Sequence, residues 1–247
     1  FQRDIDNVNQ LARRHLKGEP LAYILRQWEF HGLTLTITPD VLIPRDDTEV
    51  VTVMAIQQAM ILPEKPRILD LCTGSGCIGL AIAAKVRDAR VTLGDISQAA
   101  LDVAKTNVQD NHLTGRVTCF RLDVREAAPR FLGKYDLIVS NPPYVTAGQM
   151  EMLDHSVRDY EPHIALYGGR DGLEYYRAIV NNYTGILKPG GFICLEFGKD
   201  QEAEVCHILM ENGYELIRLE RDSGKRARAV LAQKLKEDND GEIEARI

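Results

Sequence analysis

What most narrows the folds open to this chain is an alternation. Between residues 67 and 232, apolar runs of strand length take turns with stretches whose apolar residues recur at helical spacing. Strands are predicted at 67–71, 90–94, 117–122, 135–140, 192–197, 214–219 and 229–232, and helices at 46–61, 77–86, 98–111, 172–187 and 200–212. Strands that alternate with helices pair in parallel and take helices on both faces, so the class is α/β with a mostly parallel sheet. Lys188-Pro189-Gly190-Gly191 is expected to be a turn before a strand. Upstream, residues 1–27 have helical spacing broken at Gly18-Glu19-Pro20, and residues 28–43 alternate like a hairpin connector, leaving 44–233 as the main domain. Residues 234–247 are polar and aperiodic and are expected to form a flexible tail. The chain opens at Phe1 as if inside a longer helical segment, so an N-terminal truncation is expected.

Ile68-Leu69-Asp70-Leu71-Cys72-Thr73-Gly74-Ser75-Gly76-Cys77-Ile78-Gly79 runs a strand into a small-residue turn that opens a helix. The spacing Gly-x-Gly-x-x-Gly suits a dinucleotide whose pyrophosphate rests on the helix N-terminus. Asp70 argues otherwise: a carboxylate facing the ligand from the strand end repels a pyrophosphate and favours a cation. S-adenosylmethionine carries an ammonium and a sulfonium and no phosphate, and so suits the turn better. Asp95 ends the next strand, placed to accept both ribose hydroxyls, and Asp123 ends the third, within reach of the base's exocyclic amine. Singly, each aspartate reads as well as a helix cap or a surface charge. Three at successive strand ends point to one crevice.

The predicted strand 135–140 delivers Asn141-Pro142-Pro143-Tyr144 to the same edge. Two prolines fix φ and remove N–H donors, which leaves a stiff corner with free carbonyls. The Asn141 side-chain oxygen and the Pro142 carbonyl can together accept both hydrogens of a planar –NH₂. No side chain is basic enough to deprotonate an amide or arylamine nitrogen at neutral pH, so orientation has to replace base catalysis. Tyr144 is expected to offer a flat face to the substrate group. The structural alternative is a rigid turn after a strand.

Composition removes several classes. Thirty Lys and Arg against 36 Asp and Glu give a net charge of −6, which argues against direct nucleic-acid binding through many phosphates. No run reaches the ~18 apolar residues of a membrane span, and no secretory signal is recognisable, so a cytoplasmic location is expected. Five cysteines, mostly within apolar runs, read as reduced buried thiols. The six histidines lack metal-ligand spacing, so no metal site is expected. Arg45 and Glu49 either form a surface pair or line the ligand pocket. Lys225, Arg226 and Arg228 read as a solvated face that could steer partners.

Taken together, these segments resemble the class I S-adenosylmethionine-dependent methyltransferases, and within them the bacterial release-factor glutamine N5-methyltransferases of the HemK or PrmC type. The resemblance is carried by 18–24 (GEPLAYI), 42–49 with its Ile-Pro-Arg-x-x-Thr-Glu, Asp70 to Gly76, Asn141 to Tyr144, and Tyr160-Glu161-Pro162 followed by Gly168-Gly169-Arg170-Asp171-Gly172-Leu173. It implies a Rossmann-like, seven-stranded sheet with a truncated N-terminal helical segment, residues 1–27 being a remnant of a substrate-docking domain. It also implies methylation of the glutamine in the Gly-Gly-Gln loop of class I peptide-chain release factors. By this resemblance Cys72, Thr73, Gly74, Ser75 and Gly76 surround the methionine part of the cofactor, Asp95 holds the ribose, Asp123 and Val124 lie near the adenine, and Asn141, Pro142, Pro143 and Tyr144 grip the glutamine amide. A ribosomal-protein glutamine, adenine N6 of DNA or RNA, or a cofactor-binding module without turnover are the other readings.

Overall fold

A computed structural model describes residues 2–236 of the chain; the last eleven residues of the expected tail lie outside them. The chain opens with α1 (Gln2–Leu16) and the short α2 (Leu21–Leu25), separated at the Gly18-Glu19-Pro20 break. An antiparallel hairpin of β1 (Gln27–Phe30) and β2 (Leu33–Thr36) follows. Its two-residue turn places His31 and Gly32 at φ 52° and 76°, the left-handed pair whose twist suits the flanking strands. Next come α3 (Thr48–Ile61), β3 (Arg67–Leu71), α4 (Cys77–Lys85), β4 (Arg90–Asp95), α5 (Gln98–Asp110), β5 (Val117–Arg121) and β6 (Tyr135–Ser140). Two short helices, α6 (Ala147–Glu151) and α7 (His155–Arg158), precede α8 (Glu174–Tyr183), β7 (Leu187–Glu196), α9 (Glu202–Glu211), β8 (Tyr214–Arg221) and β9 (Ala227–Lys234).

Seven strands form one sheet in the order β5-β4-β3-β6-β7-β9-β8, and β9 alone runs antiparallel to its neighbours. The pleat sorts side chains to two cores. Ile68, Leu137, Val139 and Cys194 pack with α3, α4 and α5, while Leu69, Leu71, Ile138 and Leu195 pack with α8 and α9. Both faces are thus covered, which is why these strands read as nearly continuous apolar runs.

Lys188-Pro189-Gly190-Gly191 is a bulge within β7, not a turn before it: pairing with β6 begins at Tyr135–Leu187 and resumes at Leu137–Phe192. β9 extends through Lys234, which pairs with Tyr214, and the Leu235 amide donates to the Gly213 carbonyl at 2.9 Å, so the tail does not start at 234.

From β3 the chain moves outward to β4 and β5, then returns to place β6 against the other side of β3. In open α/β sheets the crevice at such a reversal, beyond the carboxyl ends of the strands, is where ligands bind. The glycine turn after β3 and the proline corner after β6 both emerge there.

Candidate active site

Beyond Leu71 the backbone turns sharply, with Cys72, Gly74 and Gly76 at φ 55°, 53° and 85°. Asp70 lies beneath this turn, fully buried, and not against the crevice as its strand-end position suggested. Its Oδ2 accepts hydrogen bonds from Thr73 Oγ1 (2.6 Å) and the Gly79 amide (3.0 Å). Gly79 lets α4 approach this closely: a Cβ there would sit 2.3 Å from Leu93 Cδ2. Asp70 therefore braces the turn, and burial pushes its carboxyl up to about 7. Thr73, Ser75 and Gly76 are buried parts of the same brace. Asn107 of α5, which no local pattern singled out, ties the turn to the hairpin by donating from Nδ2 to the Ser75 and Thr36 carbonyls (2.9 and 3.1 Å) and accepting from the Thr36 amide.

Above the turn lies a cleft of about 620 Å³, counting its open mouth. Cys72, Gly74, Asp95, Asp123, Val124, Asn141 and Pro143 of the expected residues line it, together with Tyr175 and the 40–42 segment, which the sequence did not flag. Its charged lining is three aspartates, Asp40, Asp95 and Asp123, with no lysine, arginine or histidine among the described residues. Asp95 Oδ2 accepts from the Gly74 amide and Oδ1 from the Ser97 amide, both at 2.9 Å, so each oxygen keeps a lone pair for a ligand. Burial raises its carboxyl above the usual range. Asp123 is held by Arg125 in a bidentate pair (2.9 and 2.8 Å), which keeps its carboxyl below that range.

Ser140 Oγ donates to the Leu71 carbonyl at 2.7 Å, fastening the end of β6 to the end of β3. Asn141 follows, and its Nδ2 donates to Thr48 Oγ1 at 3.2 Å. That bond uses the donor end of the amide, and neither Asn141 Oδ1 nor the Pro142 carbonyl accepts a hydrogen bond from the described residues. Pro142 is buried. Tyr144 does not line the cleft. Its hydroxyl lies 3.5 Å from Glu196 Oε1 and its carbonyl accepts from Gln201 Nε2 (3.1 Å), so the flat face expected of it is turned into the core. The Gly-Gly-x-Asp-Gly segment clamps this corner by close approach: a Cβ on Gly168 would lie 2.6 Å from the Pro143 carbonyl oxygen, and one on Gly172 2.4 Å from that of Tyr144.

Arg45 pairs with neither the cleft nor Glu49. It bonds the buried Glu161, which also accepts the Ile43 amide at 3.1 Å, while Glu49 is exposed on the first turn of α3. Arg228 departs from the expected solvated face: it is largely buried between Asp47 (2.9 Å) and Asp222 (3.1 Å). Glu196 and Thr48, the latter noted only within the Ile-Pro-Arg-x-x-Thr-Glu segment, are both buried beside the corner and had been given no role in the site.

The chain is similar to known proteins in sequence and fold. Residues 50–159 match the family model described as methyltransferase small domain. A release factor glutamine methyltransferase of Clostridium acetobutylicum is 42% identical over 216 residues, covering 87% of this chain and 75% of that one. Another, of Bordetella pertussis, is 42% identical over 213 residues, covering 86% and 77%. The chain belongs to the release factor glutamine methyltransferase family. It is therefore a methyltransferase. Among solved structures, the hMettl16 catalytic domain superposes with a TM-score of 0.65 at 18% identity, covering 84% of this chain and 77% of that one, a likeness of fold.

Proposed function

We propose that this methyltransferase transfers a methyl group from S-adenosyl-L-methionine to the side-chain amide nitrogen (N5) of a glutamine, the one in the Gly-Gly-Gln motif of class I peptide-chain release factors. The observation that carries the reading is the polarity of the corner: Asn141 spends its NH₂ on Thr48 and keeps Oδ1, and the Pro142 carbonyl accepts no hydrogen bond among the described residues. Two acceptors on a rigid loop match the two hydrogens of a carboxamide. They hold it in one plane with its nitrogen oriented, and they stabilise positive charge as that nitrogen is alkylated.

The cleft next to the corner supports S-adenosylmethionine as the donor. Its charged lining is acidic, which disfavours a phosphate-bearing ligand and favours a cationic one. Among the described residues beyond its chain neighbours, no atom lies within 4 Å of where a side chain on Gly74 would begin, so a ligand can rest on bare backbone there. Asp95 would take the ribose hydroxyls, and Asp123 and Val124 would flank the base, with Cys72, Thr73, Gly74, Ser75 and Gly76 forming or bracing the wall near the methionine part. When bound, S-adenosylmethionine supplies an electrophilic methyl carbon. The chain's own residues orient the amide and exclude water.

In this reading residues 1–27 contribute to docking the protein substrate, and the setting is the cytoplasm, where release factors act. No helix among the described residues is long and apolar enough to cross a membrane. Incubation with S-adenosylmethionine and, separately, a class I release factor, a large-subunit ribosomal protein and duplex DNA or RNA tests the reading. Mass spectrometry is expected to find +CH₂ on the Gly-Gly-Gln glutamine of the release factor. Faster methylation of either alternative substrate would overturn it.

A further inference from the structure

Between β2 and α3 the chain runs as a strap, residues 37–47, with no helix or strand of its own. Asp40, Val41 and Leu42 of this strap line the cleft, and Asp40 is one of its three aspartates. A segment without a hydrogen-bonded ladder opens at little cost unless side chains pin it. Two buried side chains do so here. The Tyr23 hydroxyl of α2 donates to the Val41 carbonyl at 2.7 Å. Glu161, buried just beyond α7, takes the Ile43 amide on Oε2 at 3.1 Å and the Arg45 guanidinium on Oε1. Its two oxygens thus bracket Pro44, which has no amide hydrogen of its own and disfavours helical backbone at Ile43. Pro162 follows Glu161 at φ −67°, and Ile164 and Ala165 line the same cleft. One carboxylate therefore ties together two stretches of the cleft's wall, although Ile43 and Glu161 stand 118 positions apart in the chain.

We propose that Glu161 is a positioning residue for the cofactor: by holding Ile43 and Arg45 it fixes residues 40–42 as a preformed wall of the cleft. The inference rests on the cleft holding S-adenosylmethionine as proposed above. Glu161 does not itself line the cleft, so it acts through the strap. An ionised carboxylate only accepts, and so serves both donors at once; a carboxamide offers one oxygen, and its NH₂ confronts the other donor. Glu161→Gln therefore releases one end of the strap while changing little in volume. A ligand then meets a cleft whose wall is assembled in only a fraction of the molecules, and its affinity falls by that fraction. Once the ligand is bound the wall is in place, and the proline corner, fastened separately through Ser140, is undisturbed. The loss thus falls on cofactor binding and not on the transfer step.

The test compares wild type with Glu161→Gln and Tyr23→Phe by calorimetric binding of S-adenosylmethionine and S-adenosylhomocysteine, steady-state methyl transfer to an intact release factor, and amide hydrogen exchange read by mass spectrometry. Glu161→Gln is expected to raise Kd and KM for the cofactor about tenfold or more, with kcat at saturating cofactor and KM for the release factor within about threefold. Exchange over residues 37–45 is expected to quicken about tenfold or more while β3 and β6 exchange as in wild type. Tyr23→Phe, which frees the Val41 carbonyl, is expected to act in the same direction by about threefold or more. Folded Glu161→Gln with wild-type cofactor affinity would overturn the proposal. A fall in kcat with KM for the cofactor unchanged would do the same, as would exchange quickened equally in β3 and β6, since both mark a general loss of folded enzyme. Should Glu161→Gln fail to fold, Tyr23→Phe decides, and wild-type affinity and exchange in that variant would count against the strap. Binding and exchange need no methyl acceptor, so a failure to methylate glutamine leaves this inference standing. Wild type that binds neither ligand sinks the cofactor reading and the inference with it, whereas variants that bind as wild type does sink the inference alone.

Discussion

In the proposed function, Asn141 and Asp95 divide the work of the site between nucleophile and cofactor. Asn141 offers a free acceptor next to the Pro142 carbonyl, so Asn141→Ala is expected to lower kcat by about a hundredfold or more while cofactor affinity stays within a few-fold. Asp95 lines the other end of the cleft with a lone pair left on each oxygen, so Asp95→Ala is expected to weaken S-adenosylmethionine binding by about tenfold or more. Steady-state kinetics alongside calorimetry checks both, and exchanged phenotypes would mean the roles are reversed. The stiff corner at Asn141-Pro142-Pro143 is local and readable from the sequence, whereas Tyr144, expected to face the substrate, is turned into the core. Asp70 was misread because a strand-end position does not reveal which side of the turn a side chain takes, and the close approach of α4 at Gly79 drew it inward. Thr48 is marked in the sequence only as part of the Ile-Pro-Arg-x-x-Thr-Glu segment; its bond to Asn141, 93 positions away, is a partnership only the folded chain creates.

Strands β3 and β6 were predicted at the residues they occupy, since apolar runs bounded by glycine, proline and polar residues define their own limits. The start of β7 was not. Proline and glycine ordinarily punctuate, yet pairing with β6 carries the strand through Lys188-Pro189-Gly190-Gly191 as a bulge. The Gly168–Gly172 clamp acts on the same level. Gly172 sits at φ 75° with its α-carbon hydrogens against the Tyr144 carbonyl, so a methyl group there must push the proline corner outward. Gly172→Ala is expected to reduce transfer about tenfold or more and to lower stability by about 1–3 kcal/mol, measured by kinetics and urea unfolding. Wild-type activity in this variant would show that the clamp does not position the corner.

The order of strands, and with it the meeting of β3 and β6 at the reversal point, is written in no single segment, because it depends on which crossovers the whole chain makes. The acid buried under the glycine turn has a consequence for the stability of the molecule. Asp70 has its folded carboxyl at about 7, against about 4 in an unfolded chain, so the folded state holds the proton more tightly across that interval. Its contribution to stability therefore falls as pH rises from about 4 to 7 and is constant above. Asp70→Asn removes this titration, and its unfolding free energy relative to wild type is expected to improve between about pH 4 and 7, read from denaturation at each pH. A difference that stays constant over that range would contradict the assignment.

In the proposed function, a carboxamide-binding corner lies beside a pocket for a sulfonium ligand. A crystal structure with S-adenosylhomocysteine and a glutamine-containing Gly-Gly-Gln peptide measures this directly. The sulfur is predicted to lie by Gly74 facing the corner, with the glutamine NH₂ donating to Asn141 Oδ1 and the Pro142 carbonyl. A sulfur turned away from Asn141, or a glutamine bound elsewhere, would contradict it.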